Sequence, residues 1–324
     1  MTSTSTVLIL GSGGRLGTAC TVAFTRAGWR VIAQSRKPVP TQLPGSGAAL
    51  VTGDTPIGQH LSALQNVDAV VHAMNPAYTN AAWTAHAPTM MTSAIAVAQS
   101  LHATLMFPGN VYNFGSSMPA LLNESTPQCP TTVKGRLRVD IEQSLEHATQ
   151  LSGLRAVVIR AGDFFGAGSG AMFDQVTVRK IKKGTLTRSG PIDIVTPWAY
   201  LPDLAQTFVR VADQRHQLAK FEVLHFAGHA AGSRDWLRVL QPLATGQGWS
   251  APGKALKTAA LPWPVMRAMA LFSPPLAALA EMRYLHRTPH ALDNTRLRTL
   301  LGTEPHTPLA TAAASALADL GLLR

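Results

Sequence analysis

Near the start of the chain stands Thr6-Val-Leu-Ile-Leu-Gly-Ser-Gly-Gly-Arg-Leu-Gly17, the stretch that decides the fold. Residues 7–10 form a short apolar run that predicts a buried strand, and the apolar spacing over residues 16–27 predicts a helix. The glycines between them permit a tight turn and let a pyrophosphate approach backbone N–H groups at the positive end of the helix dipole. The stretch therefore predicts a dinucleotide-binding loop, and the alternative is an ordinary glycine-rich turn.

Strand and helix signals alternate through the first half of the chain. The predicted strands are residues 7–10, 31–34, 49–51, 69–73, 105–108 and 156–160. The predicted helices are residues 16–27, 59–64, 88–101 and 134–150. This alternation predicts an α/β fold, a Rossmann-type doubly wound parallel sheet with helices on both faces. A ligand then binds at the carboxyl ends of the strands, where the glycine turn lies.

The pattern loosens in the second half, which suggests a division of the chain. We expect residues 1–165 to form the nucleotide-binding Rossmann domain, with residues 196–226 returning to it. Residues 166–195 and 227–324 contain short elements and many prolines. We expect them to form a smaller C-terminal substrate-binding part.

Composition excludes several classes of protein. The chain has 324 residues, of which 46% are hydrophobic, as in globular proteins. Its most apolar stretch, residues 261–282, is interrupted by prolines and charges and does not suit a membrane span. The first six residues show no secretory pattern, so we expect a cytoplasmic protein. Two cysteines, Cys20 and Cys129, are too few for a disulfide framework or a zinc site, and we expect no bound metal.

The formal net charge of +11 indicates which partners to expect. Basic residues are spread thinly and form no aromatic and basic platform, so we expect neither nucleic acid nor a membrane as a partner. An anionic cofactor or substrate, or a solvated basic surface, accounts for the charge. We therefore expect a small-molecule substrate, and a homodimer is compatible with the sequence.

The end of the second strand indicates which dinucleotide binds. An acidic residue there selects NAD through the adenosine ribose, whereas this chain has Ser35, Arg36 and Lys37. A hydroxyl and two cations suit a 2′-phosphate, and Arg15 in the glycine turn adds a third cation. We therefore predict NADP, with NAD as the weaker alternative, unless the cations are only solvated loop charges. Asp54, after the third strand, either accepts a hydrogen bond from the adenine amino group or caps the next helix.

Several motifs stand in a recognisable order along most of the chain. They are Gly11-x-x-Gly14-x-x-Gly17, Gly53-Asp54, Val70-Val71-His72-Ala73, Asn110-Val111-Tyr112-Asn113-Phe114-Gly115, Ile159-Arg160-Ala161-Gly162-Asp163-Phe164-Phe165-Gly166 and Trp198-Ala199-Tyr200-Leu201-Pro202-Asp203-Leu204-Ala205. Together they resemble the extended short-chain dehydrogenase/reductase family, of the NAD-dependent epimerase/dehydratase type. The resemblance implies a Rossmann fold and a nicotinamide dinucleotide cofactor.

The resemblance also implies where the cofactor lies. In this family the end of the fourth strand runs along the cofactor, and the loop after the sixth strand lies on its nicotinamide side. Together with the loop chemistry above, this places the cofactor against Gly11, Ser12, Gly13, Gly14, Arg15, Leu16, Gly17, Ser35, Arg36, Lys37, Asp54, Thr55, Ala73, Met74, Asn75, Pro108, Gly109, Lys134, Arg138, Ala161, Gly162 and Phe164.

The usual catalytic residues of the family are replaced in this chain. The family uses a serine after the fifth strand and a Tyr-x-x-x-Lys on the next helix, in which the lysine lowers the tyrosine pKa and holds the ribose. Aligning Glu142 with the family's glutamate places Lys134 at the tyrosine position and Arg138 at the lysine position. Gly135 then falls on a common family glycine, and Pro108 falls on the serine.

These replacements allow three interpretations. In the first, Lys134 does the acid/base work, while Arg138 holds the ribose and depresses the lysine pKa by like-charge repulsion. Some atypical members of the superfamily resemble this in using a lysine, and Tyr112 is a second candidate proton donor. In the second, the site is catalytically quiet and the two cations only bind the cofactor. In the third, Lys134 and Arg138 are a surface pair, although like charges at that spacing are mildly destabilising.

The loop after the sixth strand suggests the substrate. Asp163 stands where sugar-nucleotide enzymes of the family often carry an asparagine near the diphosphate, and a carboxylate there repels phosphate. A mainly apolar pocket lining is suggested by the segment 265–279 and by the aromatic residues Phe164, Phe165, Phe173, Trp198 and Tyr200, although such residues more often form a core. We therefore expect an atypical short-chain dehydrogenase/reductase that acts on a small, fairly apolar, non-nucleotide carbonyl or alcohol.

Two other functions stay open at this point. One is a catalytically quiet, NADP-sensing regulatory protein, because the serine, tyrosine and lysine are all absent. The other is an NAD-dependent epimerase or dehydratase, against which Asp163 and the basic end of the second strand argue. At the end of the buried fourth strand, His72 is expected to be a core histidine with satisfied hydrogen bonds rather than a base.

Overall fold

The predicted strands assemble into one parallel sheet. A computed structural model of the chain describes residues 4–38, 47–251 and 253–323. In chain order its strands and helices are β1 (Thr6–Leu10), α1 (Arg15–Arg26), β2 (Arg30–Ser35), β3 (Ala48–Val51), β4 (Ala69–His72), α2 (Asn80–Ser100), β5 (Thr104–Asn110), β6 (Leu121–Leu122), α3 (Val133–Leu151), β7 (Ala156–Ala161), β8 (Asp163–Phe165), β9 (Thr185–Arg188), β10 (Thr196–Tyr200), α4 (Leu201–Asp213), β11 (Phe221–His225), β12 (His229–Ala231), α5 (Ser233–Gly246), β13 (Lys257–Ala260), α6 (Trp263–Met269), α7 (Pro274–Glu281), β14 (Ala291–Leu292), α8 (Thr295–Leu301) and α9 (Leu309–Asp319). The main sheet has seven parallel strands in the order β3-β2-β1-β4-β5-β7-β11.

The side chains of β1 show why helices cover both faces of this sheet. Successive side chains of a strand point to opposite faces. Val7 and Ile9 pack into a core with residues of α1 and α4, whereas Leu8 and Leu10 pack into a core with residues of α2 and α3. The strand order reverses between β1 and β4, which opens a crevice beside the glycine turn. The predicted Rossmann-type fold is confirmed.

Two helical predictions need correction. Helix α2 begins at Asn80, where the Thr79 hydroxyl caps it, and not at Pro88. Pro88 lies inside the helix, although proline cannot donate the usual helical hydrogen bond. Packing of the apolar helix face that includes the buried Trp83 outweighs this loss. The helix predicted over residues 59–64 is a 3-10 helix that covers residues 57–63.

A separate aromatic core lies in the smaller part of the chain. This core lies between the three-stranded sheet β12-β10-β8 and the helices α5 and α9. Its rings stack in tilted or edge-to-face pairs, and they belong to Phe165, Phe173, Trp198, Tyr200 and Trp236. Phe165 and Phe173 are at most 1% exposed, so these two rings form a core and not the predicted pocket lining, whereas Trp198 lines a small pocket beside the core.

Part of the chain expected in the smaller domain returns to the main sheet. Helix α8 contacts β11 and α4. Its Leu297 is fully buried in the same core as α1. None of the described helices combines the length and hydropathy needed to cross a membrane.

Candidate functional site

The glycine turn forms a cradle that side chains would block. Gly11 has a φ of +82°, and a Cβ there would lie 2.9 Å from the backbone nitrogen of Met74. A Cβ on Gly17 would collide with the carbonyl oxygen of Gly11. The turn therefore brings the end of β4 close against the start of α1, as a dinucleotide loop requires.

The backbone donors of this turn divide into two groups. The N–H groups of Gly11 and Ser12 donate to the carbonyl oxygen of Gln34 at 3.2 and 2.8 Å, which fixes the turn to β2. The Gln34 side chain accepts a further bond from Gly11, and sequence reasoning missed this residue. Gly14 precedes α1, and no described side chain caps the first N–H groups of that helix. These groups are available to an anion, so the residues fit the pyrophosphate of a dinucleotide.

The end of β2 carries the predicted selectivity residues at the surface. Arg36 and Lys37 are exposed, and the Ser35 hydroxyl donates to the Lys37 carbonyl oxygen at 2.6 Å. Within the described ranges neither cation forms an ion pair. Both charges are thus accessible to a phosphate beside the adenosine ribose.

Arg15, the third predicted cation, is engaged with another loop. Its Nη2 donates to the Gly166 carbonyl oxygen at 2.6 Å, and burial lowers the pKa of Arg15. A partly buried guanidinium needs an acceptor, and the loop after β8 supplies it. Asp54 is exposed and does not cap the following 3-10 helix, because Pro56 precedes that helix and no side chain caps it.

Lys134 is buried at the start of α3. It is 0% exposed, its Nζ donates to Asn80 Oδ1 at 2.6 Å, and Nζ lies 4.5 Å from the centre of the Tyr78 ring. Burial lowers the pKa of Lys134, and the Glu281 carboxylate opposes this shift. The interpretation of Lys134 and Arg138 as a surface pair is therefore wrong. Repulsion by Arg138 is also not the cause of the lowered lysine pKa, because desolvation lowers it.

The Glu281 carboxylate at the end of α7 organises this corner. Its Oε1 accepts from the backbone N–H of Val133 at 2.7 Å, and its Oε2 accepts from Asn80 Nδ2 at 2.8 Å. The Asn80 amide oxygen is thereby turned toward Lys134, so that carboxylate, amide and amine form one chain of hydrogen bonds across three helices. Sequence reasoning missed Glu281 and Asn80, because no local pattern links them to the lysine.

Arg138 lies one turn further along α3. Its Nη1 donates to the Pro108 carbonyl oxygen at 3.1 Å, and its guanidinium lies 5.0 Å from the ring centres of Trp83 and Phe107. Burial lowers the pKa of Arg138. The structure thus brings together Pro108 and Arg138, the predicted serine and lysine positions, at the end of β5. Among the described atoms, Arg138 Nε is buried without a partner, which leaves one donor for a ligand.

Tyr112 and Tyr78 share this corner with Asp163. Burial raises the pKa of Tyr112 well above its ordinary value, and Tyr78 and Asp163 add to the shift. Burial likewise raises the pKa of Tyr78 to about 12. Both hydroxyls therefore keep their protons at neutral pH and can donate hydrogen bonds. Gly135 permits the arrangement, because a Cβ there would lie 2.6 Å from the Tyr112 carbonyl oxygen.

His72 differs from its expected state, and Asp163 lies beside a histidine. Burial, with a contribution from Arg138, lowers the pKa of His72 to about 3, so it is neutral. In the described structure its Nδ1 has no hydrogen-bond partner, so it is a core histidine but not a satisfied one. Asp163 begins β8 and lies 3.8 Å from His286 Nδ1. Across the described ranges, no cluster of His, Cys, Asp and Glu could hold a metal ion.

The remaining predicted cofactor residues lie at the same strand ends. Thr55 follows β3, and Ala73, Met74 and Asn75 follow β4. Ala161 is the last residue of β7, Gly162 comes directly after it, and Phe164 lies in β8. Two of the predicted glycines serve packing. Gly109 leaves room for the side chain of Arg160, and Gly162 leaves room for the Pro197 carbonyl group.

A second concave site lies in the C-terminal part, and sequence reasoning missed it. Its volume is about 270 Å³, and it is lined by Arg188, Ser189, Gly190, Pro191, Ala260, Leu261, Trp263, Pro264, Arg283 and Arg287. The Arg283 guanidinium lies 5.4 Å from the Trp263 ring centre. The Nε atoms of Arg188 and Arg283 are buried, with no partner among the described residues. We call this site the arginine cavity. Its described lining contains the cations Arg188, Arg283 and Arg287 and no acidic side chain, so it suits an anionic ligand.

Comparison with known proteins places this geometry in a family. A model of the RmlD substrate binding domain matches residues 5–268, most of the chain. The chain belongs to this family. Its resemblance to the extended short-chain dehydrogenase/reductases is thereby confirmed. A comparison with curated proteins finds no sequence match.

Solved structures share the fold of this RmlD-family chain at low sequence identity. MoeE5 in complex with UDP-glucose and NAD is 15% identical, with a TM-score of 0.70 over 97% of this chain and 98% of that one. UDP-N-acetylglucosamine 4-epimerase from Bacillus cereus is 15% identical, with a TM-score of 0.71 over 99% and 98% of the two chains. UDP-glucose 4-epimerase from Brucella ovis, in complex with NAD, is 16% identical, with a TM-score of 0.65 over 79% and 85%. These likenesses show a common fold.

Proposed function

We propose that this protein is an NAD(P)-dependent oxidoreductase of the short-chain dehydrogenase/reductase type in which Lys134 donates the proton. The observation that carries the proposal is the buried amine of Lys134, at the position of the family's tyrosine. Burying a lysine costs stability, and perturbed titratable groups concentrate at functional sites. The nearby glycine turn supports the same proposal, since it fits a pyrophosphate.

The cofactor that we propose is NADP, with NAD as the second choice. The preference depends on Arg36 and Lys37, whose charges lie exposed at the end of β2. MoeE5 and the Brucella ovis epimerase carry NAD, which supports a nicotinamide dinucleotide but not the extra phosphate. When bound, the cofactor supplies or accepts a hydride. The glycine turn would hold its pyrophosphate, and Arg138 would hold its ribose.

In this proposal the acid chemistry comes from one residue and its supports. Burial brings the pKa of Lys134 down toward the working pH, which favours proton transfer to a substrate oxygen. Asn80 fixes the direction of the amine, and Glu281 favours its protonated form. Tyr112 and Tyr78 keep their protons and hydrogen-bond to each other, which leaves one hydroxyl proton of the pair to donate to the same oxygen.

The substrate that we propose is a carbonyl or alcohol compound with an anionic group, such as a phosphate or carboxylate. The arginine cavity supports an anionic end, because its cations lack acidic partners among the described lining residues. His286 precedes the lining residue Arg287 in the chain, and its Nδ1 lies 3.8 Å from the Asp163 carboxylate. Asp163 in turn lies close enough to Tyr112 to raise its pKa.

A small, fairly apolar substrate is the alternative, as the sequence suggests. The aromatic rings that supported it fill a core instead, although Leu261 and Trp263 give the arginine cavity an apolar wall. An amphipathic substrate with an anionic end and an uncharged body satisfies both observations.

Paired carbonyl compounds, with and without an anionic group, test the proposal in an assay of NADPH oxidation. We expect turnover of the anionic members, with Arg287→Ala raising their KM by about tenfold. Arg298 is an exposed arginine on α8, and the variant Arg298→Ala is the matched control, which should leave KM unchanged. A preference for the neutral members would favour the apolar substrate. NADPH binding without turnover of any compound would favour the NADP-sensing protein.

An NAD-dependent epimerase or dehydratase is the second candidate function. The shared fold and the arginine cavity favour it, since MoeE5 binds UDP-glucose in the same fold. Incubation with UDP-sugars and catalytic NAD distinguishes the two. An isomerised or dehydrated sugar without net cofactor consumption would support this candidate over the oxidoreductase.

A further inference from the structure

The hairpin of α6 and α7 exposes an apolar surface that the proposed chemistry does not use. We define the α6–α7 hairpin as residues 263–281, with its tip at residues 270–273. Leu271 is 81% exposed and Phe272 is 89% exposed, the highest values among the large apolar side chains described. Val265 and Met269, one helical turn apart on α6, are 56% and 54% exposed. Apolar side chains gathered on one projecting element mark an interaction surface.

The charge around this hairpin has one sign. Between Asp235 and Glu281 the chain contains no Asp or Glu, although it carries several basic residues. Arg267 is exposed on α6. Arg267 and Arg287 both lie close enough to Arg283 to lower its pKa. The Glu281 carboxylate is already engaged with Val133 and Asn80, so Arg267, one helical turn before the apolar tip, carries a positive charge that no described carboxylate of the hairpin compensates.

We propose that the α6–α7 hairpin inserts its tip into the headgroup region of an anionic lipid membrane. Interfacial segments of this kind combine aromatic and aliphatic side chains with Arg or Lys at their border, and they bind anionic lipid through both. Such binding needs no spanning helix, so it is compatible with the lack of a membrane-crossing helix among the described residues. It goes beyond the proposed oxidoreductase function and replaces the expectation, drawn from the sequence, of no membrane partner.

Charge favours a membrane over a second copy of the chain. Two hairpins meeting about a two-fold axis would bring two copies of Arg267 together, and no described acidic side chain of the hairpin is free to compensate them. A lipid surface places its phosphates around Arg267 and its acyl chains around Leu271 and Phe272. An acidic protein with an apolar groove is the other possible occupant, and the experiment below separates it.

Vesicle co-sedimentation of the purified full-length protein tests the proposal. We expect binding to phosphatidylcholine vesicles that contain phosphatidylserine, and weak binding to phosphatidylcholine alone. Leu271→Ser combined with Phe272→Ser should weaken binding by roughly tenfold or more, because the variant lacks the two apolar side chains that the lipid would bury. Leu121→Ser combined with Leu151→Ser removes two other exposed leucines, and this matched control should bind as the wild type does.

A fluorescence measurement reports insertion directly. Phe272→Trp should shift its emission to shorter wavelength on mixing with the anionic vesicles, and Arg267→Glu should weaken binding most at low salt. Equal vesicle binding by the wild type and the Leu271/Phe272 double variant would overturn the proposal, because general surface charge would then explain it. Absence of vesicle binding, with a dimer or a protein complex that the double variant abolishes, would also overturn it.

Discussion

The glycine turn and the Lys134 corner of this molecule are built in opposite ways. The turn comes from consecutive residues, Gly11 to Gly17, which one strand and one helix hold in place. The corner joins Asn80, Lys134 and Glu281 from three helices that are far apart in sequence. A change in the turn should therefore alter cofactor binding alone, whereas a change in the corner should alter turnover and its pH dependence.

The difference also bears on which site can change its chemistry. The turn requires glycine, because added side chains would strike the backbone of Met74 or of Gly11 itself. The corner requires only a proton donor with suitable partners. In the proposed alignment Lys134 stands at the tyrosine position, where the Asn80 amide accepts from its amine and the Glu281 carboxylate favours its charged form.

The largest effect is expected from Lys134→Ala. Without the proton donor, turnover should fall by about 10²-fold or more, while NADPH affinity stays close to that of the wild type. Steady-state kinetics and a cofactor titration measure the two quantities. Arg136→Ala, an exposed basic residue on the same helix, is the control and should leave both unchanged. Normal turnover by Lys134→Ala would transfer the role to Tyr112 or to water.

A smaller effect, confined to binding, is expected from Arg36→Asp. Loss of one charge-assisted contact, worth roughly 1.5–3 kcal/mol, should weaken NADPH binding by more than about tenfold and spare NADH. Fluorescence titration measures both affinities. Arg30→Asp places the same change at the opposite end of β2 and should have little effect. Unchanged NADPH affinity in Arg36→Asp would rule out the end of β2 as the phosphate site.

The smallest effect is expected from Glu281→Gln. The Glu281 carboxylate raises the pKa of Lys134, so its neutralisation should lower that pKa. An acid acts only when protonated, and activity is lost as pH rises through its pKa. The alkaline limb of the pH profile of kcat should therefore move to lower pH. Glu146→Gln, exposed on α3, is the control, and an unmoved limb in Glu281→Gln would leave Glu281 a purely structural role.

The fold was largely predictable because its signals are local. Strand β1, the glycines and helix α1 follow one another, and the period of apolar residues shows where each begins. The start of α2 was missed because Pro88 is an ordinary start signal, whereas packing of Trp83 carries the helix through it. The locally predicted strands proved to be parallel neighbours in a single sheet, and they are largely buried except for β3 at its edge.

The candidate site was only partly predictable because its contacts are long-range. The alignment that predicted roles for Lys134 and Arg138 came from one helix, and it stays a prediction, although Arg138 does contact Pro108. The partnership with Glu281, the bond from Arg15 to Gly166 and the arginine cavity all join distant segments. A hydrophobic or charge pattern within one segment carries no information about such pairs.

Titration of the purified protein with NADPH and with NADH, followed by nicotinamide fluorescence, tests the central claim most directly. That claim is that the glycine turn holds a nicotinamide dinucleotide and that the end of β2 selects its 2′-phosphate. Saturable binding of both cofactors, with NADPH the tighter by about tenfold, is the result that we predict. Binding of neither would contradict the account, because the glycine turn would then be a structural feature alone.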